Sequence, residues 1–159
     1  MGGIVKFTEA ASLGMHAMAL LAARRNRRLQ LGDIAEVLPG STSHLAKVMQ
    51  RLVKVGLVES VRGRGGGFVL RRDPSEISML QVYEAIEGPL DVCECLFSAP
   101  ACHGDCILGN TLVEASTIVR NRLSRTLLSQ LPRFFEKMRA EEDHPAAQNA
   151  GEVRAQGSG

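Results

Sequence analysis

The chain has 159 residues, of which 45% are hydrophobic, 23% charged and 4% aromatic, with a formal net charge of +2. This profile suits one medium domain, or a small domain with an appendage, and excludes disordered, collagenous and disulfide-dense secreted chains. The near-neutral total also argues against a strongly basic nucleic-acid binder, yet it hides a division. Residues 1–80 hold 12 Lys and Arg against 6 Asp and Glu, whereas residues 81–159 hold 7 against 11. The chain therefore has a basic first half and an acidic second half.

Lys6 and Glu9 bracket too short an apolar run for a secretory signal. Beyond them, the spacing of Leu13, Ala17, Leu20 and Leu21 predicts a helix from about Thr8 to Ala23. Arg24, Arg25, Arg27 and Arg28 suit its C-terminus and the following loop. A second helix is expected over Leu31–Leu38, stopped by Pro39 and Gly40. Ser41 then offers an N-cap for a third, in which Leu45, Val48, Met49 and Leu52 share a face. Two strand-like runs, Leu57–Arg62 and Phe68–Leu70, flank a glycine-rich loop and predict a hairpin. Ser78 and Gln81 form a capping-box pair that opens a fourth helix, closed by Gly88 and Pro89.

From about Ile107 the series Leu108, Leu112, Ala115, Val119, Leu123, Leu127 and Leu131 predicts one helix up to Pro132. At roughly 24 residues it would be about 36 Å long. Its far end then has little of its own chain to meet, which favours a helix of a second subunit as its cover. No apolar stretch is long enough to span a bilayer, so a cytoplasmic protein without a membrane partner is expected.

Helix, helix, turn, helix, hairpin is the order of a winged helix-turn-helix. On the polar side of the third helix lie Ser41, Thr42, Ser43, His44, Lys47, Gln50, Arg51 and Lys54. Short hydroxyl and imidazole groups near its N-terminus suit base edges in a major groove, and Lys and Arg further along suit phosphates. An ordinary solvated helix face would look similar. The hairpin tip decides in favour of DNA: Arg62 and Arg64 stand beside Gly65, Gly66 and Gly67, and arginine suits a narrow, negative minor groove. The tip lacks the spacing and the Lys-Ser/Thr ending of a nucleotide-binding P-loop.

All four cysteines, Cys93, Cys95, Cys102 and Cys106, fall in the run VCECLFSAPACHGDC. In a cytosolic chain such clustering points to metal or redox chemistry. The steps C-x-C, C-x6-C and C-x3-C lack the paired knuckles of structural zinc, but spacing alone leaves zinc, a thiol–disulfide switch and an iron–sulfur cluster open.

Three pieces carry a family resemblance: FTEAASLGMHAMALLA, then LAKVMQRLVKVGLVESVRGRGGGFVL, then the cysteine loop ahead of a long helix. In this order, from Val5 to Leu131, the chain resembles the IscR- and NsrR-type iron–sulfur winged-helix regulators of bacteria. The resemblance implies a mainly α fold with a small β-hairpin wing: a winged helix-turn-helix plus a long dimerisation helix. The expected divisions are a DNA-binding domain over 1–74, a cluster-binding loop and dimerisation helix over 75–139, and a disordered tail over 140–159. It also implies a homodimer on a palindromic site in double-stranded DNA, and a cluster held by three cysteines and a variable fourth ligand.

In the nitric-oxide-sensing branch of that family, an acidic residue in the first helix of the other subunit completes a 4Fe–4S site, and Glu9 matches it. In the other branch a histidine follows the last cysteine by three positions; here that position is Gly109. A 4Fe–4S cluster is thus favoured over 2Fe–2S. Two departures stand out: a short final gap and one cysteine more than needed. Cys102 and Cys106 are the firmer ligands, and Cys95 is preferred to Cys93 on spacing. Ligation by all four cysteines stays open, and would leave Glu9 a surface or capping carboxylate. His16, two turns from Glu9, reads as a packed or solvated residue, and His103, between the cysteines, is not counted among the ligands.

The expected function is a transcriptional repressor sensing nitric oxide, redox state or iron–sulfur status. Its alternatives are a cluster-free thiol switch on the same DNA-binding fold and a protein-interaction module built on the long helix. With no nucleophile–base pairing or cofactor loop, an enzyme is not expected.

Overall fold

A computed structural model describes residues 6–95, 107–108 and 110–131. Helix α1 (Glu9–Ala23) starts where Thr8 turns extended and its side chain accepts the Ala11 N–H. Helix α2 (Leu31–Val37) opens with a capping box between Gln30 and Asp33. Helix α3 (Thr42–Lys54) is capped by Ser41, whose Oγ accepts the His44 N–H at 3.1 Å. Strands β1 (Val58–Val61) and β2 (Gly67–Leu70) pair antiparallel, with Val58 opposite Leu70 and Val61 opposite Gly67. Leu29, between α1 and α2, bridges to Phe68 and extends this small sheet. After a 3₁₀ turn at Pro74–Glu76, α4 (Met79–Glu87) carries the expected Ser78–Gln81 box. Helix α5 (Thr111–Arg125) and a 3₁₀ turn at Leu128–Gln130 follow.

The architecture is therefore the expected mainly α fold with a hairpin wing. Helix α1 lies at its centre, with Ala11, Ala17, Met18 and Leu20 fully buried. Helix α3 turns Leu45, Val48, Met49 and Leu52 inward on an i, i+3, i+4, i+7 stripe, while its remaining residues face outward or lie half-buried. One buried cluster runs from α1 through α4 to Leu128, across residues 74 and 75.

The last helix departs from the periodic reading. It spans 15 residues, roughly 22 Å, and ends at Arg125. Thr126 is extended, its carbonyl accepts the Met79 N–H at 2.8 Å, and the Leu128 N–H donates to the Ile77 carbonyl at 2.9 Å. The chain leaves the helix to pair with residues 77–79 and to bury Leu128 completely. The far end is thus packed on its own subunit, contrary to the expectation of one helix to Leu131. A helical stripe could not reveal this, because Leu127 and Leu131 continue the i+4 spacing whether or not the backbone stays helical. At the other end, Ile107 and Leu108 precede the helix and are exposed.

Candidate functional site

The N-terminal turn of α3 presents a polar surface. Thr42, Ser43, Lys47, Gln50, Arg51 and Lys54 are exposed, and Ser41 Oγ also lies 3.2 Å from Ser43 Oγ. Two further expected DNA contacts, His44 and Arg51, reach other helices. His44 is half-buried, with Nδ1 3.7 Å from a Glu9 carboxylate oxygen. Arg51 donates from Nη1 to the Ile86 carbonyl at 3.1 Å, near the C-terminus of α4, so part of its function is to hold α3 on α4. None of the ion pairs among the described residues uses Lys47, Arg62 or Arg64.

At the wing tip, Arg62, Gly63, Arg64 and Gly65 are exposed, and the Gly66 N–H closes a turn on the Gly63 carbonyl at 2.9 Å. Gly66 has a structural duty that its sequence context did not suggest. A Cβ there would lie 2.4 Å from the Val61 carbonyl and 2.9 Å from that of Gly63. Closure of the hairpin demands glycine at 66, whatever the tip approaches. At Gly65 a Cβ would meet open space, and the φ of +78° alone favours glycine.

Just after β2, Asp73 accepts from the Ser75 hydroxyl at 2.7 Å and the Ser75 N–H at 2.9 Å, and faces Arg25 at 2.7 Å. These hydrogen bonds, the Ser75 hydroxyl foremost, hold its carboxyl down to about 2 from the usual 3.8.

The sulfur segment leaves α4 at Gly88. Glu84 accepts the Leu90 N–H at 3.2 Å and lies 3.5 Å from Arg120, which donates to the Leu90 carbonyl at 2.5 Å. Three residues on, the Cys93 N–H donates to Ser116 Oγ at 3.1 Å, and the Ser116 hydroxyl in turn donates to the Leu112 carbonyl at 2.7 Å. Cys93 is buried and Cys95 half-exposed. Ser116 and Arg120 were not singled out in the sequence. The available signal was polarity: both continue the i+4 register of Leu112, where a core-facing helix carries apolar residues.

Glu9 opens α1 with its carboxylate largely exposed, where the helix dipole favours an anion. It edges a cavity of about 230 Å³ lined also by Ser12, Leu13, His16, Leu38, Pro39 and Gly40. His16 Nδ1 lies 2.8 Å from the Ser12 carbonyl. Cys102, His103 and Cys106 lie outside the described residues. Among the described residues, no three of the His, Cys, Asp and Glu side chains gather as a metal site.

Residues 7–133 match the family model of Rrf2, described as iron-dependent transcriptional regulators. The chain belongs to the Rrf2 family. Its Rrf2 relatives include the regulator NsrR of Bacillus subtilis (strain 168), 37% identical over 57% of this chain and 63% of that protein. The putative regulator BadM of Rhodopseudomonas palustris is 36% identical over 52% of this chain and 53% of that protein. The chain thus spans between about half and two thirds of the length of these curated relatives. A putative regulator of Aquifex aeolicus is 29% identical over 82% of this chain and 94% of its own length. Among solved structures, the global cysteine regulator CymR of B. subtilis superposes with a TM-score of 0.70 at 25% identity, over 82% of this chain and 98% of CymR. The three curated relatives bear the names of transcriptional regulators, as the reading of this chain as a regulator and not an enzyme requires. No helix among the described residues is long and apolar enough to cross a membrane.

Proposed function

We propose that this Rrf2 chain is a homodimeric, DNA-binding transcriptional repressor whose affinity for a palindromic operator depends on an iron–sulfur cluster. The ligands of this reading are Cys95, Cys102 and Cys106 of one subunit, with Cys93 the alternative to Cys95, and the partner subunit's Glu9. Thiolates are the usual ligands of iron–sulfur clusters, and the described donors fit: two thiols in the α4–α5 connection and an exposed carboxylate on α1. A 4Fe–4S cluster, favoured over 2Fe–2S, would supply a link between loop and partner helix that nitric oxide, oxidants or iron loss removes.

The observation that carries the reading is the contact between Glu9 and His44. It joins the expected fourth ligand to the N-terminal turn of α3, where Ser41, Thr42 and Ser43 face a major groove. A Glu9 carboxylate engaged elsewhere leaves His44 without its acidic neighbour, so ligation on α1 is felt where bases are read. Lys47 meets phosphates, Arg51 keeps α3 seated on α4, and Arg62, Arg64, Gly65 and Gly66 bring the wing to the minor groove. A dimer makes the spacing of two such surfaces the determinant of operator fit.

Anaerobic isolation with iron and sulfide analysis tests this, together with absorption spectra and operator binding before and after nitric oxide. The expected protein is coloured, and both its spectrum and its affinity change with the gas. A colourless, zinc-loaded protein with unchanged affinity would sink the proposal. Glu9→Ala should weaken or recolour the cluster; an unaltered spectrum removes Glu9 from the ligand set. An iron-free protein whose DNA binding responds to oxidants would support the thiol-switch reading instead.

A further inference from the structure

We infer that Ser116 and Arg120 are positioning residues that clamp the start of the sulfur segment onto α5, making Cys93 its anchor and Cys95 its first metal-binding thiolate. The assignment of Cys95 rests on the cluster reading above; the clamp does not. Arg120 grips the Leu90 carbonyl at 2.5 Å and Ser116 accepts the Cys93 N–H at 3.1 Å. The two are four residues apart on α5, one turn, and the backbone groups they hold are three residues apart. Glu84 completes the grip by binding both the Leu90 N–H and Arg120.

Ser116 is only 1% exposed, and its hydroxyl donates to the Leu112 carbonyl at 2.7 Å, with the Val113 carbonyl at 3.2 Å. Its oxygen is thus left to accept from Cys93, and withdrawing that donor would strand a buried acceptor. Cys93 itself is 6% exposed, with Sγ directed to the Cys95 carbonyl at 3.6 Å. For Cys93 to ligate, the chain must break the Ser116 contact and bring its thiol to the surface. Cys95 lies two residues beyond the last clamped group and is half-exposed, so it can ligate with the clamp intact.

The test uses the full-length chain in two arms. In the first, Cys95, Cys102 and Cys106 are replaced by Ala and the rate of Cys93 alkylation by N-ethylmaleimide is measured. Ser116→Ala should raise that rate about tenfold, the loss of one buried hydrogen bond. Arg120→Gln should raise it as well, and serves where Ser116→Ala does not fold. Leu128→Ala, a core change at the other end of α5, controls for general loosening and should raise it far less. Equal rates in the parent, Ser116→Ala and Arg120→Gln chains overturn the clamp, as does an equal rise in Leu128→Ala.

In the second arm, chains are incubated anaerobically with ferrous iron and sulfide. Cys93→Ala should retain the iron content and visible absorption of the wild type, and Cys95→Ala should lose most of both. The reverse result overturns the assignment of Cys95. A wild-type chain that takes up no iron refutes the cluster reading and the Cys95 assignment with it, while the alkylation rates still decide the clamp.

Discussion

Asp73 is a surface carboxylate tied closely to its neighbours. Its carboxyl is held at about 2 rather than 3.8, because Ser75 donates to it twice and Arg25 lies alongside. With the folded value below the unfolded one, its contribution is complete above pH 3.8 and is lost as pH falls toward 2. Urea unfolding across this window should show wild-type stability falling more steeply than that of Asp73→Ala. Parallel curves would mean that the Ser75 and Arg25 contacts have no net effect. At the wing, Gly66→Ala sets a methyl group against two backbone carbonyls that cannot rotate aside. It should cost about 2 kcal/mol or more, whereas Gly65→Ala, with open space and only a positive φ, costs about 1 kcal/mol. Thermal unfolding of the two variants distinguishes a hairpin-closing role from mere conformational freedom.

At the scale of the element, α3 carries two kinds of basic residue that look alike in sequence. Lys47 is exposed and outside the ion pairs of the described fold; Arg51 is bound to the carbonyl of Ile86. Lys47→Ala should lower the slope of log affinity against log salt by about 1, with little change in stability. Arg51→Ala should instead lose about 1 kcal/mol of stability as the α3–α4 contact is broken. Binding titrations at several salt concentrations, paired with denaturation, check both, and a full unit of slope lost at Arg51 would make it chiefly a phosphate contact. The capping of α3 by Ser41 and of α4 by Ser78 and Gln81 was legible in sequence, since caps involve residues three apart. The grip of Arg51 on α4 was not, because its partner lies 35 residues away.

For the whole molecule, Leu128 decides how the C-terminal part of the described chain is held. It is fully buried, and the backbone on either side of it pairs with residues 77–79. Leu128→Ala should cost 2–5 kcal/mol, of the order found for large-to-small core changes, read from the denaturant midpoint. A change below about 1 kcal/mol would show that the site collapses readily and that this docking is weak.

Local chemistry in the sequence determined the order of elements, the stripe of α3, the hairpin and the segregation of positive charge into the first half of the chain. Those features depend on neighbours a few residues apart, so a single chain of letters contains them. The tertiary structure alone decided where α5 stops, that His44 faces Glu9, and that Ser116 and Arg120 hold the sulfur segment. Each of these is a contact between stretches distant in sequence. At the end of α5 and at the sulfur segment, a hydrogen bond to a distant backbone group outweighs one more turn of helix or one more solvated side chain, and no local periodicity carries that information.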